Sequence, residues 1–200
     1  MIAPEGKLIV FLLTAGVIVM HLVFGSHVWP LWGGVLVLVW LYREPHRTIP
    51  SAPLGIVSPV DGTVTRLENG YDPFLKRDAL CLSMQMHWYG VYALRSITEG
   101  KIVQHWLHHP DDESRGHLQH AIWIQTDEGD DVVIALHAGG YFRHMHCYAH
   151  AGERIGQGKR CGFIPFGTMV DIYLPTKARS ARVVGDSVAG GTDLIAEFVH

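Results

Sequence analysis

Two apolar runs near the N-terminus constrain the fold of this chain more than any other feature. Residues 8–24 and 28–42 contain no Asp, Glu, Lys or Arg, and only "GSH" separates them. Each run is near the minimum length for crossing the hydrocarbon core of a bilayer, so two short spanning helices and a re-entrant pair both remain open. The pattern predicts a membrane-anchor helical hairpin over residues 1–45, followed by a β-rich domain over residues 46–200.

The charges beside these runs predict their orientation. Lys7 precedes the first run, and Arg43 and Arg47 follow the second. The positive-inside rule therefore places both flanks on the cytoplasmic side of the cell membrane. A cleaved signal peptide is the competing interpretation, but no convincing small-x-small site follows the first run and a second apolar run comes at once. A buried hairpin in a soluble core is disfavoured because polar positions at helical spacing are missing.

Beyond the hairpin, short alternating runs separated by Gly, Pro and Asp are typical of a mainly β domain. The turn-rich residues 68–78 predict a polar loop. Nine segments predict strands: 56–60, 63–67, 80–86, 101–107, 120–126, 132–136, 145–150, 162–166 and 170–175.

Glycine-containing turns in "SPVDGTV" and "AGERIGQGKRCGFI" predict a barrel-like β-sandwich that resembles the lipoyl and biotinyl carrier domains. Such a carrier presents a lysine at a hairpin tip, typically in Met-Lys or Asp-Lys-Ala, and neither sequence is present. A swinging-arm carrier is therefore disfavoured. The net charge of −3, with mixed signs, predicts no nucleic-acid partner.

The segment "HMHCYAH" contains the densest group of potential metal ligands. On a strand, His144 and His146 share one face and Cys147 points the other way. Because no third ligand with suitable spacing follows on the same face, the sequence predicts no metal site. The three cysteines form no CxxC pair, so neither a disulfide framework nor a zinc knuckle is indicated.

Gly167 and Thr168 offer a different kind of chemistry. A hydroxyl after a flexible glycine can attack the preceding carbonyl and form an ester if the amide is strained and a base is near. Elimination then cleaves the chain and leaves a keto-acyl group on the new N-terminus, 2-oxobutanoyl in the case of threonine. That group condenses with an amine and acts as an electron sink for decarboxylation. Taken alone, however, Gly-Thr is more simply an ordinary bend between strands.

The order of motifs along nearly the whole chain resembles the short, membrane-anchored, pyruvoyl-dependent type of phosphatidylserine decarboxylase. The segment "YREPHRTIP" is similar to the family's Arg-Asp-Pro-x-Arg-x-Ile-Pro, and "IVSPVDGTV" to its Val-Ser-Pro-Ala-Asp-Gly. The stretch "HAGGYFRHMHCYAHAGERIGQGKRCGFIPFGTMVDIYLP" aligns without a gap with its Ala-Gly to Phe-Gly-Ser-x-Val-Asp-x-Tyr-Leu-Pro region. The resemblance implies an aminophospholipid substrate at the membrane, and it is compatible with a homodimer.

Carried over residue by residue, the resemblance implies that Asp61 supports the base in self-cleavage and that Gly167 and Thr168 are the cleaved pair. Thr168 stands where serine is the rule, and Met169 stands where an arginine usually follows. The extra methyl group of threonine restricts χ1 and crowds the elimination step.

The family's His-Val-Asn-Arg-x-Pro-x-x-Gly segment is matched less well, by "VYALRSITEGKI". Arg95 is retained, but Tyr92 occupies the histidine position and is a poor general base near neutral pH. His87, five residues earlier, could replace it through a bulge, and His144 is the other candidate base. Arg95 and Tyr92 are carried over as substrate-binding residues.

Two hypotheses in different classes follow. In one, the protein is a self-processing decarboxylase with Thr168 as the source of the keto-acyl group. In the other, it is a non-cleaving, inactive relative that keeps the fold for lipid binding or regulation. Asp61 and Gly167 favour the first, and the changes at Tyr92 and Thr168 favour the second.

Overall fold

The computed structural model describes residues 3–107, 118–137, 146–164 and 169–199. Its contacts divide the chain into two compact units, Met1–His46 and Arg47–His200.

The first unit is a helical hairpin. Helix α1 (Pro4–Phe24) leads through a 3-10 turn (Gly25–Val28) into helix α2 (Trp29–Leu41). The N–H of Ala3 donates to the carbonyl of Tyr42 at 2.8 Å, which joins the outer ends of the two helices. Gly25 ends α1 at φ 64°, a left-handed conformation that glycine adopts without steric cost.

The lengths of the two helices bear on how they could meet a membrane. At 1.5 Å per residue, α1 extends about 30 Å and α2 about 20 Å, so only α1 matches the hydrocarbon thickness. The helical segment Gly6–Leu41 contains an 18-residue window with a mean hydropathy of 2.5, and it could cross a membrane by length and composition. Large apolar side chains such as Leu8, Phe11 and Leu22 are exposed. The unit is therefore consistent with membrane association, while its spanning or re-entrant geometry stays a prediction.

The second unit is mainly β, as the sequence predicts. Its described strands are β1 (Gly55–Val57), β2 (Gly62–Asp72), β3 (Arg77–Met86), β4 (Ala93–Arg95), β5 (Gly100–Trp106), β6 (Leu118–Gln125), β7 (Asp131–His137), β8 (His146–Cys147), β9 (Arg154–Ile155), β10 (Arg160–Phe163), β11 (Met169–Pro175), β12 (Arg179–Ser180), β13 (Ser187–Val188) and β14 (Leu194–Glu197).

These strands form one large sheet and two small ones. The large sheet has the order β13-β2-β3-β11-β7-β6-β5-β9 and curls into a half-barrel. The small sheets have the orders β1-β14-β12 and β4-β10-β8. All described neighbours pair antiparallel, and β11 lies between β3 and β7.

Apolar side chains at alternate positions along the strands form the core. Ile172 pairs across β11 with Leu82 on one side and Ile134 on the other, and all three side chains are fully buried. Burying an aliphatic side chain of this kind contributes about 1.5–3 kcal/mol. The opposite face of the same strands carries a smaller aromatic cluster around Phe74 and Tyr173.

All nine predicted strands overlap observed ones, but the predicted loop over residues 68–78 is wrong. Strand β2 continues to Asp72 and β3 begins at Arg77, so only residues 73–76 form the turn. The carboxylate of Asp72 closes that turn by accepting the N–H groups of Phe74 and Leu75, at 2.9 and 3.2 Å. The polar residues that indicated a loop instead belong to a long hairpin.

Candidate active site

Asp61 lies in the turn between β1 and β2, and its carboxylate accepts four hydrogen bonds. Arg47 Nη2 donates to Oδ1 and Oδ2 at 2.9 and 2.7 Å. The backbone N–H groups of Val91 and Gly190 donate at 3.1 and 2.8 Å. The Asp61 side chain is only 14% exposed. This network joins three segments distant in sequence to one carboxylate.

A glycine permits the close backbone approach that the Asp61 network needs. A Cβ atom added to Gly190 would lie 2.9 Å from the carbonyl carbon of Val60 and 3.0 Å from its Cα. Real Cβ atoms essentially never come so close to backbone atoms. Only glycine therefore lets this loop present its N–H to Asp61 without displacing the turn that carries the aspartate.

His87 lies beside Asp61 but contacts it through the backbone. The His87 N–H donates to the Asp61 carbonyl at 3.0 Å. The imidazole Nε2 is hydrogen-bonded to Thr63 Oγ1 at 2.9 Å, and the ring stacks on Tyr89 with centroids 5.0 Å apart. The predicted base is thus close to the predicted aspartate, but its ring is oriented by Thr63.

Tyr92, which stands at the family's histidine position, packs into the interior. It is 3% exposed, and its hydroxyl donates to the carbonyl of Trp88. Its ring meets Phe163 edge-on, and its own carbonyl accepts the N–H of Ile164 at 2.7 Å. Burial raises the pKa of Tyr92 above its ordinary value. The phenol therefore stays protonated at neutral pH and acts as a hydrogen-bond donor.

Arg95 supports the loops around Asp61. Its Nη1 donates to the carbonyl of Gly158 at 3.0 Å, and its backbone N–H donates to Pro59, two residues before Asp61, at 2.9 Å. Gly191, at φ 74°, lies so close that an added Cβ would be 2.5 Å from Arg95 Cδ. These contacts hold together the turn and the loop that supply the Asp61 network.

Strand β11 begins at Met169, directly after the predicted cleavage pair in sequence. Met169 pairs with Gln85 on β3 and with His137 on β7, and Gln85 pairs in turn with Thr63 on β2. One row across the sheet therefore runs Thr63, Gln85, Met169, His137. Gly167, Thr168 and His144 lie outside the described residues.

His137 and Asp171 form a pair that sequence reasoning missed. His137 Nε2 and Asp171 Oδ2 are 2.8 Å apart, and the side chains are 16% and 19% exposed. Burial by itself would raise the pKa of Asp171, but hydrogen bonds from His137 and Ser83 outweigh it and lower that pKa below its usual range. The two residues are 34 positions apart, so no local spacing could indicate the contact.

Arg47 was also missed as a site residue, because its charge was assigned to the flank of the membrane hairpin. A signal existed, since Arg47 is the second arginine of "YREPHRTIP", the segment that resembles the family's Arg-Asp-Pro-x-Arg motif. The structure shows that this arginine pairs with Asp61.

The fold and site define a mainly β protein with an N-terminal apolar hairpin and a partly buried aspartate network beside the start of β2. The model of the phosphatidylserine decarboxylase family matches residues 36–196. Phosphatidylserine decarboxylase proenzymes of Nitrosomonas eutropha and Burkholderia multivorans are 34% and 33% identical to this chain. Those alignments cover 92% and 98% of this chain, and 91% and 96% of the relatives. The chain therefore belongs to the phosphatidylserine decarboxylase family, a family of carboxy-lyases.

A solved structure shares the β architecture at much lower sequence similarity. Glucose permease IIA from Mycoplasma capricolum superposes with a TM-score of 0.50 at 15% identity, covering 72% of this chain and 94% of its own. At that identity the likeness concerns the fold alone.

Proposed function

We propose that this protein is a self-processing phosphatidylserine decarboxylase of phospholipid biosynthesis, cleaved between Gly167 and Thr168. The observation that carries the proposal is the relation between β2 and β11. Both strands pair antiparallel with β3, so both begin at the same end of the sheet. Asp61 directly precedes β2 and Thr168 directly precedes β11 in sequence. In sequence, Asp61 and the proposed cleavage pair therefore directly precede two strands that begin at the same end of the sheet, one on each side of β3.

The described residues fit the formation of a keto-acyl group from Thr168. The His87 ring is hydrogen-bonded to Thr63, which lies in the same cross-strand row as Met169. His137 also belongs to that row, because it pairs directly with Met169. Imidazoles can accept the proton of an attacking hydroxyl near neutral pH. His144, outside the described residues, remains the third candidate. Once formed, the group supplies a carbonyl that withdraws electrons as the substrate carboxylate leaves as CO₂.

Self-processing begins at the peptide bond between Gly167 and Thr168. The Thr168 hydroxyl attacks the Gly167 carbonyl and replaces the peptide bond by an ester. Elimination breaks the ester C–O bond and leaves Gly167 with a free carboxylate. The elimination also removes the Cα proton of residue 168 and leaves an enamine there, which tautomerises to an imine. Water hydrolyses the imine and releases ammonia, so the new N-terminus becomes 2-oxobutanoyl. A base is needed for the attack and for the elimination.

In this proposal Asp61 acts as a positioning residue. Its carboxylate is occupied by Arg47 and by two backbone N–H groups, and it makes no described bond to an imidazole ring. Asp61 instead accepts the N–H of Val91 through its carboxylate and that of His87 through its carbonyl. It thus orients the segment that carries His87.

The non-cleaving relative is the second candidate, and two observations favour it. Tyr92 is buried and bonded to Trp88, and it offers no general base at the family's histidine position. The Asp61 charge is balanced by Arg47. A protein of this kind would use the fold for lipid binding or regulation.

The proposed substrate is phosphatidylserine or a similar aminophospholipid. The apolar hairpin would keep the protein at the cell membrane, with the β unit facing the cytoplasm, so that the acyl chains of the substrate can stay in the bilayer. A homodimer is compatible with the proposal.

The test is a decarboxylation assay on the full-length protein in detergent micelles that contain carboxyl-labelled phosphatidylserine. Wild type is expected to release labelled CO₂, Thr168→Ala to release none, and Thr168→Ser to be at least as active as wild type. Intact masses of all three samples report cleavage. An uncleaved, inactive wild type whose Thr168→Ser variant is also uncleaved and inactive would support the non-cleaving relative instead.

A further inference from the structure

Three potential metal ligands converge between the large sheet and one of the small sheets. His105 on β5 and His120 on β6 are hydrogen-bonded, Nδ1 to Nε2, at 2.8 Å. Cys147 on β8 completes the group, and one ligand atom from each residue lies within 4.8 Å of the others. In the sheet order, β6 and β5 are four and five positions from β2, which follows Asp61. This cluster is therefore built from other strands than the Asp61 network.

A second observation concerns the remaining nitrogen of His105. Its Nε2 is buried and has no hydrogen-bond partner among the residues that the structure describes. A buried polar atom without a partner destabilises the fold unless another group satisfies it. The His105 ring is therefore held in an arrangement that its described neighbours do not fully satisfy.

We propose that His105, His120 and Cys147 bind a zinc ion, with a fourth position open to water or to a further side chain. Two imidazoles and a thiolate are a donor set that zinc prefers over magnesium or calcium, which take oxygen ligands.

The geometry requires only small side-chain movements. In a tetrahedral zinc site with Zn–N of about 2.0–2.1 Å and Zn–S of about 2.3 Å, the two nitrogens lie about 3.3 Å apart and each about 3.6 Å from the sulfur. The histidine nitrogens, now 2.8 Å apart, would separate by about half an ångström, and the sulfur, at most 4.8 Å from them, would approach by no more than about 1.2 Å. Side-chain rotations of the three residues supply shifts of this size.

The protonation states of the two histidines are also suitable for binding zinc. Burial, followed by the neighbouring His105, lowers the pKa of His120 to about 4, and burial is also the main cause that lowers the pKa of His105. Both rings are neutral at pH 7, as metal ligation requires. Burial raises the pKa of Cys147, and a bound zinc ion would reverse this by stabilising the thiolate.

The ion would join two sheets. His105 and His120 belong to the large sheet, while Cys147 belongs to the sheet β4-β10-β8. That small sheet leads through β10 and Ile164 toward the proposed cleavage pair. The sequence alone predicted no metal site because the partners of Cys147 come from two distant strands and not from the "HMHCYAH" segment.

The test uses the full-length protein in detergent, stripped with a chelator and then loaded with metal. Native mass spectrometry should show one zinc ion per chain. Loading with Co²⁺ should give the visible bands of a tetrahedral site and a thiolate-to-cobalt charge-transfer band. Absence of stoichiometric zinc, or cobalt binding without the thiolate band, would overturn the proposal. Neither readout depends on chain cleavage or decarboxylation, so the metal site can fail or hold independently of the proposed function.

Matched variants separate ligation from misfolding. Cys147→Ser should abolish the charge-transfer band and weaken zinc binding by more than about 100-fold, because losing even a group that only hydrogen-bonds to a ligand typically costs roughly 10–100-fold. His120→Ala should weaken zinc binding to a similar degree. Cys81→Ser and His46→Ala, outside the cluster, should leave both signals unchanged. Equal loss in the control variants, or unchanged zinc affinity in Cys147→Ser, would contradict the assignment. The cobalt spectrum of the wild type keeps the test valid even if one variant fails to fold.

Discussion

Arg47 Nη2 donates to both carboxylate oxygens of Asp61, and the two side chains are only 17% and 14% exposed. The pair connects the segment that follows the hairpin to the turn that starts β2. An ion pair enclosed to this degree is screened less by salt than an exposed pair, so it should contribute measurably to stability.

Removing Arg47 should destabilise the β unit. Arg47→Ala leaves the Asp61 carboxylate with two backbone donors and no cation, and the expected loss is about 1.5–3 kcal/mol of unfolding free energy. Arg47→Lys should lie between wild type and alanine, because an ammonium group keeps the charge but not the planar guanidinium geometry. Denaturant unfolding of the full chain in detergent measures this. Lys177→Ala, at an exposed position, is the control and should stay within about 0.5 kcal/mol of wild type. Equal stability of Arg47→Ala and Lys177→Ala would contradict the role of the pair.

Tyr92→His should accelerate self-cleavage. The substitution places an imidazole at the family's histidine position, and a positioned general base contributes at least about 10²-fold to rate. The time course of fragment appearance on a gel measures the effect. Tyr92→Phe keeps the ring that packs on Phe163 but cannot accept a proton, so it should bring no acceleration. If both variants accelerated cleavage equally, loosened packing would be the cause and not base catalysis.

Gly190→Ala should disturb the Asp61 network. The new Cβ would meet the backbone of Val60 at 2.9 Å, and overpacking of this kind typically costs about 1–3 kcal/mol. Gly156→Ala is the matched control, since nothing lies within 4 Å of its added Cβ. The melting temperatures of the two variants should therefore differ, with Gly190→Ala lower. Indistinguishable melting curves would show that the loop is not constrained as the structure indicates.

The contribution of Asp171 to the stability of the fold should disappear in acid. Its folded pKa is lowered, so its stabilising effect is complete above the unfolded value of about 3.9 and is lost as pH falls through the folded pKa. Asp171→Asn should accordingly be less stable than wild type by about 1.5–3 kcal/mol near neutral pH. The difference should shrink below about pH 4, as melting curves across the pH range would show. A difference that stays constant into acid would mean that the carboxylate charge is not what stabilises the fold.

The sequence predicts the local features of this protein well. Alternation of apolar and polar residues located all nine predicted strands, because a half-buried strand imposes a period of two. The segment "SPVDG" predicted the turn that carries Asp61, which lies between β1 and β2. The error at residues 68–78 arose because polar residues on exposed strands look like loop residues until their pairing partners are known.

Contacts between residues that are distant in sequence could not be predicted from local patterns. Arg47 and Asp61 are 14 positions apart, His105 and His120 are 15, and His137 and Asp171 are 34. Each contact depends on which distant segments become neighbours in the folded chain, and local periodicity carries no such information. The missed contacts of the candidate site are of this kind, although the similarity of "YREPHRTIP" to the family motif offered a signal for Arg47.

The intact mass of the C-terminal fragment tests the central claim most directly. The full-length protein, purified in detergent and incubated to completion, should yield a fragment beginning at position 168 that is lighter by one ammonia than a threonine-terminated peptide, as a 2-oxobutanoyl start requires. Thr168→Ala should remain a single intact chain. A wild-type protein that also stays intact, or a fragment that begins with an unmodified threonine, would contradict the account.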